Sequence, residues 1–379
     1  MSLLSRTKQN AQGSERLDEL YTSSQLKLTI IRFKKHKVAV VSLFVLLIFY
    51  FVAFFAPFFS VHDPNEKDEN YREAPPQKIY FRNHEGKFSL LPVTYPYSKK
   101  MDLKTYKVTF TNVTSEMARV KFFVKGFEYK LFGITFRRHF IGTGNPNVPF
   151  HMFGCDSLGR DLMSRIIYGS RISLSIGLLG VAISFFLGIL IGGIAGYIGG
   201  FVDTAIQRFI EILLSIPQLP LWMALSAALP RNWSQVQNYV LITIILSIIS
   251  WTGLARIVRG RFLSLRTEDF VVAAELMGRN NFQIIFLHLL PSFYSYIIAS
   301  LTLSIPGMIL GETALSFLGL GLQAPIISWG VLLQDAQNVY TIAITPWIML
   351  PCLFIIIVVL AFNFLGDGLR DAADPYGSK

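Results

Sequence analysis

Thr267-Glu268-Asp269-Phe270-Val271-Val272-Ala273-Ala274-Glu275-Leu276-Met277-Gly278 lies within a polar island, Arg256 to Pro291, that separates two apolar runs of membrane length. Its spacing predicts a short helix. Phe270, Ala273, Ala274 and Met277 fall at i, i+3, i+4 and i+7, giving one apolar face with small residues at its centre, and Glu268, Asp269 and Glu275 lie off that stripe. Such a face fits a groove on a partner. Thr267 is placed to cap the helix, Glu268 and Asp269 put negative charge on its first turn, and Gly278 can end it in a left-handed turn. Asn280 or Asn281 can then cap a second segment, Phe282 to Leu290, which runs through His288 into Pro291.

Working outward, 52% hydrophobic and only 16% charged residues exclude an ordinary soluble domain. The chain reads as an all-α polytopic membrane protein. Spans are expected at Val38–Phe59, Ile172–Ile198, Phe209–Leu229, Tyr239–Ile257, Phe293–Leu310 and Pro346–Phe364, each near the roughly 20 residues a bilayer requires. This divides the chain into an N-terminal segment 1–37, a first span 38–59, an insert 60–171, a core 172–364 containing the loop 258–291, and a tail 365–379.

Basic residues crowd the flank of the first span (Lys27, Arg32, Lys34, Lys35, Lys37) and the island (Arg256, Arg259, Arg261, Arg266, Arg279), so both are expected in the cytoplasm together with both termini. Topology and anionic headgroups account for the net charge of +11, and no basic-aromatic module points to nucleic acid. The first span is read as a retained anchor. Its apolar core of roughly 22 residues exceeds a signal-peptide core, and no small-residue cleavage site follows Pro57.

The insert is expected outside the cytoplasm. Its first part, with Pro64, Pro75, Pro76, Pro92 and Pro96, reads as loop, whereas Thr105–Asn112 and Arg119–Phe140 alternate like strands, so a small β-rich insert is expected. It serves either as packing on the outer face or as a platform for a substrate-delivery protein.

Other chemistry is thin. Cys155 and Cys352 lie on different parts of the chain, no metal-ligand spacing appears, and the six histidines fall outside the spans, so neither a metal nor a catalytic site is expected. Gly154, Gly159, Arg160 and Asp161 come close to a phosphate-binding loop. Arg160 stands for the lysine, however, and Asp161 for the hydroxyl residue, and a carboxylate there repels phosphate. Glu211 and Glu312 are the carboxylates nearest to the membrane interior, both near span ends, where anchoring or a hydrogen bond to a neighbouring helix explains them. Gly188, Gly192, Gly193 and Gly196 supply small residues for close helix contact, and Pro217, Pro220 and Pro306 can kink their helices.

Three segments carry a family resemblance. Ala273-Ala274 with Gly278 and then His288-Leu289-Leu290-Pro291 resembles the E-A-A-x-x-x-G loop of ATP-binding-cassette (ABC) importer permeases. Asp156-Ser157-Leu158-Gly159-Arg160-Asp161, leading to Arg171-Ile172-Ser173-Leu174, and Gly366-Asp367-Gly368-Leu369-Arg370-Asp371, followed by Asp374-Pro375, narrow it further. Together they look like the C-type permease subunit of dipeptide and oligopeptide importers, a group with nickel-importing relatives. The resemblance covers the first span and about residue 153 to the C-terminus; the Tyr129-Lys130-Leu131-Phe132-Gly133 run resembles longer members. Val272 departs from the pattern by occupying the leading glutamate's place, and Glu275 or Asp269 would have to substitute.

The resemblance implies a type I importer permease fold with six transmembrane helices in the bacterial inner membrane. It implies a second homologous permease, two cytosolic ABC ATPase subunits and an extracytoplasmic peptide-binding protein as partners, with membrane lipid around them. Phe270, Ala273, Ala274, Glu275, Met277, Gly278, His288, Leu290 and Pro291 would couple to the ATPase, and Arg256, Arg259 and Arg279 would flank that contact or hold headgroups. The chain itself would do no chemistry and need no cofactor. Rival readings are the same machine carrying nickel, a sugar conjugate or a peptide antibiotic; an autonomous carrier or channel, which the lack of midplane carboxylates opposes; and a membrane enzyme, for which no nucleophile–base pair is visible.

Overall fold

A computed structural model describes residues 25–82, 88–101, 103–104, 108–230 and 233–373; Thr105 and Asp374-Pro375 lie outside the described residues. A helix, α1 (Gln25–Lys35), leads into the first span, α2 (Lys37–Phe54), across His36, whose ring accepts the Ala39 N–H at 3.1 Å. The span ends five residues before its expected end. Pro57 instead starts a separate turn, Ala56–Phe59.

Next come α3 (Leu162–Ile198), α4 (Gly200–Ser215), α5 (Gln218–Ala227), α6 (Gln235–Leu265), α7 (Asp269–Leu276), α8 (Tyr294–Phe317) and α9 (Leu350–Ala373). Among the described residues five helices are long and apolar enough to cross a membrane, and α4 with α5 adds a sixth span only as a pair bent by 84°. The straight span expected over Phe209–Leu229 is therefore broken. Ile216, forced out of helical geometry by Pro217, sits at φ −91°, ψ 126°. Pro220 falls in the first turn of α5, where an amide proton is not needed, and Pro306 lies inside the continuous α8.

α3 starts ten residues before the expected Ile172. Asp161 caps it by accepting the Ser164 N–H at 2.7 Å, and its first turns anchor the insert rather than face lipid. Ser164 Oγ accepts the N–H groups of Val61 and His62, each at 3.1 Å, and Arg165 donates to the Pro64 carbonyl at 3.0 Å.

The bundle is organised on α3 against α6. Both helices are apolar on most sides, so close approach rather than an amphipathic stripe decides their pairing. A Cβ on Gly188 would meet Leu254 at 2.9 Å, one on Gly193 would meet Phe262 at 3.1 Å, and one on Gly196 would meet the Arg259 carbonyl at 2.7 Å. The glycine series is thus a contact seam, as its spacing suggests. The main core joins α2, α3, α6, α8 and α9, with Trp329 fully buried among them.

Glu312 is fully buried within α8, two residues beyond the expected span end, and of the two roles expected for it the structure shows the hydrogen bond to a neighbouring helix. Ser316 and Ser328 donate to its Oε1 at 2.8 and 2.7 Å, and Ser173 of α3 donates to Oε2 at 3.4 Å. Glu211 is exposed and pairs with Arg208 at 2.8 Å.

The insert is β-rich, but more of it is strand than expected. β1 (Tyr80–Arg82), β2 (Phe88–Thr94) and β5 (Ala118–Arg119) make one antiparallel sheet, β3 (Tyr97–Met101) and β4 (Val108–Asn112) a second, and β6 (Lys121–Leu131) and β7 (Ile134–Gly142) a long hairpin. Pro92 and Pro96 suggested a loop. Pro92 instead lies inside β2, the middle strand of its sheet, in the irregular stretch between the Arg82–Phe88 and Tyr80–Val93 pairs, where a bulge tolerates proline.

Candidate coupling surface

Helix α7 stands at the end of the bundle opposite the insert, directly after α6. Glu268, not Thr267, is its N-cap, in extended geometry and with no side-chain cap bond. Gly278 ends it as expected, at φ +76°, and the Arg279 N–H reaches back to the Ala274 carbonyl at 3.2 Å. Asn280 then opens the following segment, accepting the Gln283 N–H at 2.8 Å while Gln283 closes a capping box. That segment, Asn281–Phe293, is not a regular helix: it passes through a π turn over Ile284–Leu289 and a 3₁₀ turn over Leu290–Phe293, where Pro291 removes a donor.

The face of α7 that is buried differs from the expected one. Val271 and Ala274 have no exposed surface and join a cluster with Leu254, Val258 and Phe262 of α6 and with Ile284, Ile285 and Leu289. Ala274 is therefore a root of the helix, not part of its outer face. Phe270, Ala273, Leu276 and Met277 point away from the bundle, Leu276 with 84% and Met277 with 71% of its surface exposed. Residues 270–274 are apolar without interruption. A short helix apolar on all sides is buried on one and left with an apolar outer face, and a single-stripe reading conceals this.

The remaining coupling residues divide in the same way. Leu290 is buried with the root cluster, His288 is half-buried, and Pro291 is exposed at its turn. Glu275 accepts a hydrogen bond from the Tyr197 hydroxyl at 2.5 Å, so it ties α7 to the end of α3. Val272, in the place of the family's leading glutamate, is half-exposed on the outer side. Arg259 is committed to a bidentate pair with Asp203 of α4, and Arg261 lies over the Tyr296 ring at 5.7 Å; Arg256 and Arg279 are exposed. Tyr197, Asp203 and Val271 were not singled out by the sequence. Each is ordinary in type and gains its role only from what it meets across the bundle.

The two other signature segments lie elsewhere, and neither joins α7. Near the insert, Asp156 accepts from the Leu158 and Arg160 N–H groups at 2.9 and 3.0 Å and from Arg160 Nε at 2.7 Å. Gly159, at φ +79°, leaves no room for a Cβ against the Asp68 backbone. Asp161 accepts from His151 Nδ1 at 3.0 Å, and His62 stacks on His151 with ring centroids 4.6 Å apart. Burial, then the neighbouring His151, lowers the His62 pKa to about 4. Burial alone would raise the Asp161 carboxyl, but the His151 hydrogen bond and charge outweigh it and hold the group below its usual value. The loop thus turns two carboxylates inward, the reverse of a phosphate cradle. Arg171 stands apart on α3, beside a cavity of about 570 Å³ shared with Tyr168, Tyr239 and Pro325.

At the far end of α9, Gly366 and Gly368 are contact points. A Cβ on Gly366 would meet the Leu303 backbone at 3.3 Å, and one on Gly368 would meet His36 at 3.4 Å, while Asp367, Arg370 and Asp371 are exposed. Cys155 and Cys352 are both free thiols, and burial pushes the Cys155 thiol well up.

These features place the chain among multi-pass membrane proteins, and the proteins it is similar to are transport permeases. The family described as binding-protein-dependent transport system inner membrane component matches residues 188–376, and the N-terminal TM domain of oligopeptide transport permease C matches residues 24–76. The chain belongs to the family of binding-protein-dependent transport system inner membrane components. The oligopeptide transport system permease protein OppC of Haemophilus influenzae is 44% identical over 227 residues, 60% of this chain and 70% of that protein. The dipeptide transport system permease protein DppC of Bacillus subtilis is 41% identical over 227 residues, 59% of this chain and 68% of that protein. Among solved structures, a chain of the inward-facing MetNI methionine ABC transporter aligns with a TM-score of 0.42 at 17% identity, over 56% of this chain and 98% of that one.

Proposed function

We propose that this chain is one permease subunit of an ATP-driven importer that carries di- or oligopeptides across the cytoplasmic membrane. The observation that carries the reading is α7, rooted by Val271 and Ala274 in the α6 cluster and presenting Phe270, Ala273, Leu276 and Met277 outward. A helix so fixed converts a push on its outer face into movement of α6 and the segment after it. The relatives' names support peptide as the cargo and give no support to nickel.

The partners are a second, homologous permease, two cytosolic ATPases seated on the outer face of α7, and an extracytoplasmic peptide-binding protein, with both termini and α7 in the cytoplasm. Peptide passes between the two permeases, and ATP is hydrolysed by the separate subunits. Glu275, Gly278, His288, Leu290 and Pro291 shape and hold the coupling element, while Ala273 allows close approach. Asp269, exposed and without an ion pair among the described residues, is the carboxylate free to replace the missing glutamate.

The test is co-purification from native membranes followed by reconstitution. The expected result is a complex containing ATPase subunits that takes up peptide only with ATP, and loses uptake but not assembly of the bundle in Gly278→Asp. Uphill transport by this polypeptide alone, driven by an ion gradient, would overturn the reading.

A further inference from the structure

The β6–β7 hairpin is the longest strand pair of the insert, and its tip is unusual. Leu131 pairs with Ile134, so Phe132 and Gly133 form a two-residue loop, and both have positive φ, +51° and +81°. Hairpin loops with two left-handed residues favour Asn-Gly, because a bulky side chain is strained there. Here the strained position holds a phenylalanine with 75% of its surface exposed. Phe123, further down the hairpin, repeats the combination, with φ +57° and 61% exposure. Strain of this kind persists where function needs the side chain.

Both rings meet the first span. Phe132 lies 5.7 Å from Phe54, the last residue of α2, and Phe123 lies 6.1 Å from Phe58 in the turn that follows. α2 carries an exposed apolar stripe through Phe44, Ile48, Phe51 and Phe54. The hairpin tip extends that stripe sideways at the end of α2. Lys125, Lys130 and Arg138 are exposed along the same hairpin, and Arg137 pairs with Glu128. Aromatic rings at the membrane boundary with cations behind them match an interface of acyl chains and anionic headgroups.

We propose that the β6–β7 hairpin is a membrane-surface anchor: Phe132 and Phe123 enter the lipid interface beside the first span, and Lys125, Lys130 and Arg138 face anionic headgroups. The hairpin thereby holds the insert at a fixed height and tilt over the bundle. This goes beyond the transport reading and does not depend on what is carried.

The experiment places a nitroxide at Phe132→Cys, in a Cys352→Ser background of the intact chain with its co-purifying subunits. Cys155 is fully buried and out of reach of the label. Nanodiscs of phosphatidylethanolamine and phosphatidylglycerol supply the lipid. Collision with oxygen several-fold stronger than with an aqueous nickel chelate is the expected result. Stronger collision with the nickel chelate would put the tip in water, and protection from both would put it against a protein partner; either overturns the proposal. Phe123→Cys gives the same reading if the tip variant does not fold.

Discussion

A Cβ added to Gly192 would lie 2.7 Å from the Cα of Ala255, so α3 and α6 touch backbone to backbone at this point. Real Cβ contacts do not come so close, and neither backbone can yield without parting the helices along the whole seam. The Cβ of Gly253, two residues before Ala255 and so on the opposite face of α6, would meet nothing within 4 Å. Gly192→Ala is therefore expected to cost about 1–3 kcal/mol by overpacking. Gly253→Ala should be neutral or gain up to about 1 kcal/mol from helix propensity. Thermal unfolding of the purified chain in detergent checks both, and equal midpoints for the two variants would refute the seam.

Neighbouring alanines on α7 separate docking from folding. Ala273→Arg is expected to stop ATP-driven uptake while moving stability by no more than about 0.5 kcal/mol, as a surface change does. Ala274→Arg pushes a charge into the cluster of Val258, Phe262 and Ile285, and should destabilise by several kcal/mol, at least about 3. Uptake assays paired with unfolding midpoints distinguish them. Normal uptake by Ala273→Arg would remove the outer face from the coupling account.

Glu312 gathers hydroxyls from three elements: Ser173 on α3, Ser316 on α8, and Ser328 in front of Trp329. Trp329 is held in turn, its backbone N–H donating to Ser173 Oγ at 3.1 Å and its ring N–H to the Ile166 carbonyl at 3.0 Å. Glu312→Ala leaves these donors buried without an acceptor, and is expected to cost about 2–4 kcal/mol. Glu312→Gln keeps one acceptor oxygen and should cost less. A wild-type unfolding midpoint in the alanine variant would show that the network contributes nothing.

Acid should loosen the junction between the insert and α3. His62 stays neutral in the fold down to about pH 4 but takes up a proton in the unfolded chain near 6.5, so the folded state binds fewer protons between those values. Its contribution is whole above about pH 6.5 and is lost as pH falls toward 4, a change on the order of 3 kcal/mol. Asp161, whose carboxyl is held low, adds to the loss only below its ordinary range near 3.8. Amide exchange at Val61 and His62, which are pinned by Ser164, should speed up between pH 7 and 5 after correction for intrinsic rates. No change in protection would sink the prediction.

How much was legible in the sequence follows from which interactions are local. Gly278 as a helix stop and Asn280 as a cap were readable because both depend on residues within one turn. The glycine seam was readable because small residues four apart make one ridge on any helix. The break at Ile216 was half readable: Pro217 predicts a bend, but only the surrounding helices set it at 84°. The buried side of α7 was not readable, since a run apolar on every side offers no stripe to choose, and neither was the start of α3, whose polar first turns serve the insert.

By itself the sequence determined that this chain lives in a bilayer, which stretches are apolar enough to supply its spans, and which family it joins, because apolar length and short-range motifs are properties of contiguous residues. Only the tertiary structure decided that Ala274 faces inward, that Glu312 is enclosed by three serines, that Arg259 closes on Asp203, and that Phe132 meets Phe54. Those pairings join residues far apart in the chain, and packing chooses among many partners of equal chemistry that composition and spacing leave open.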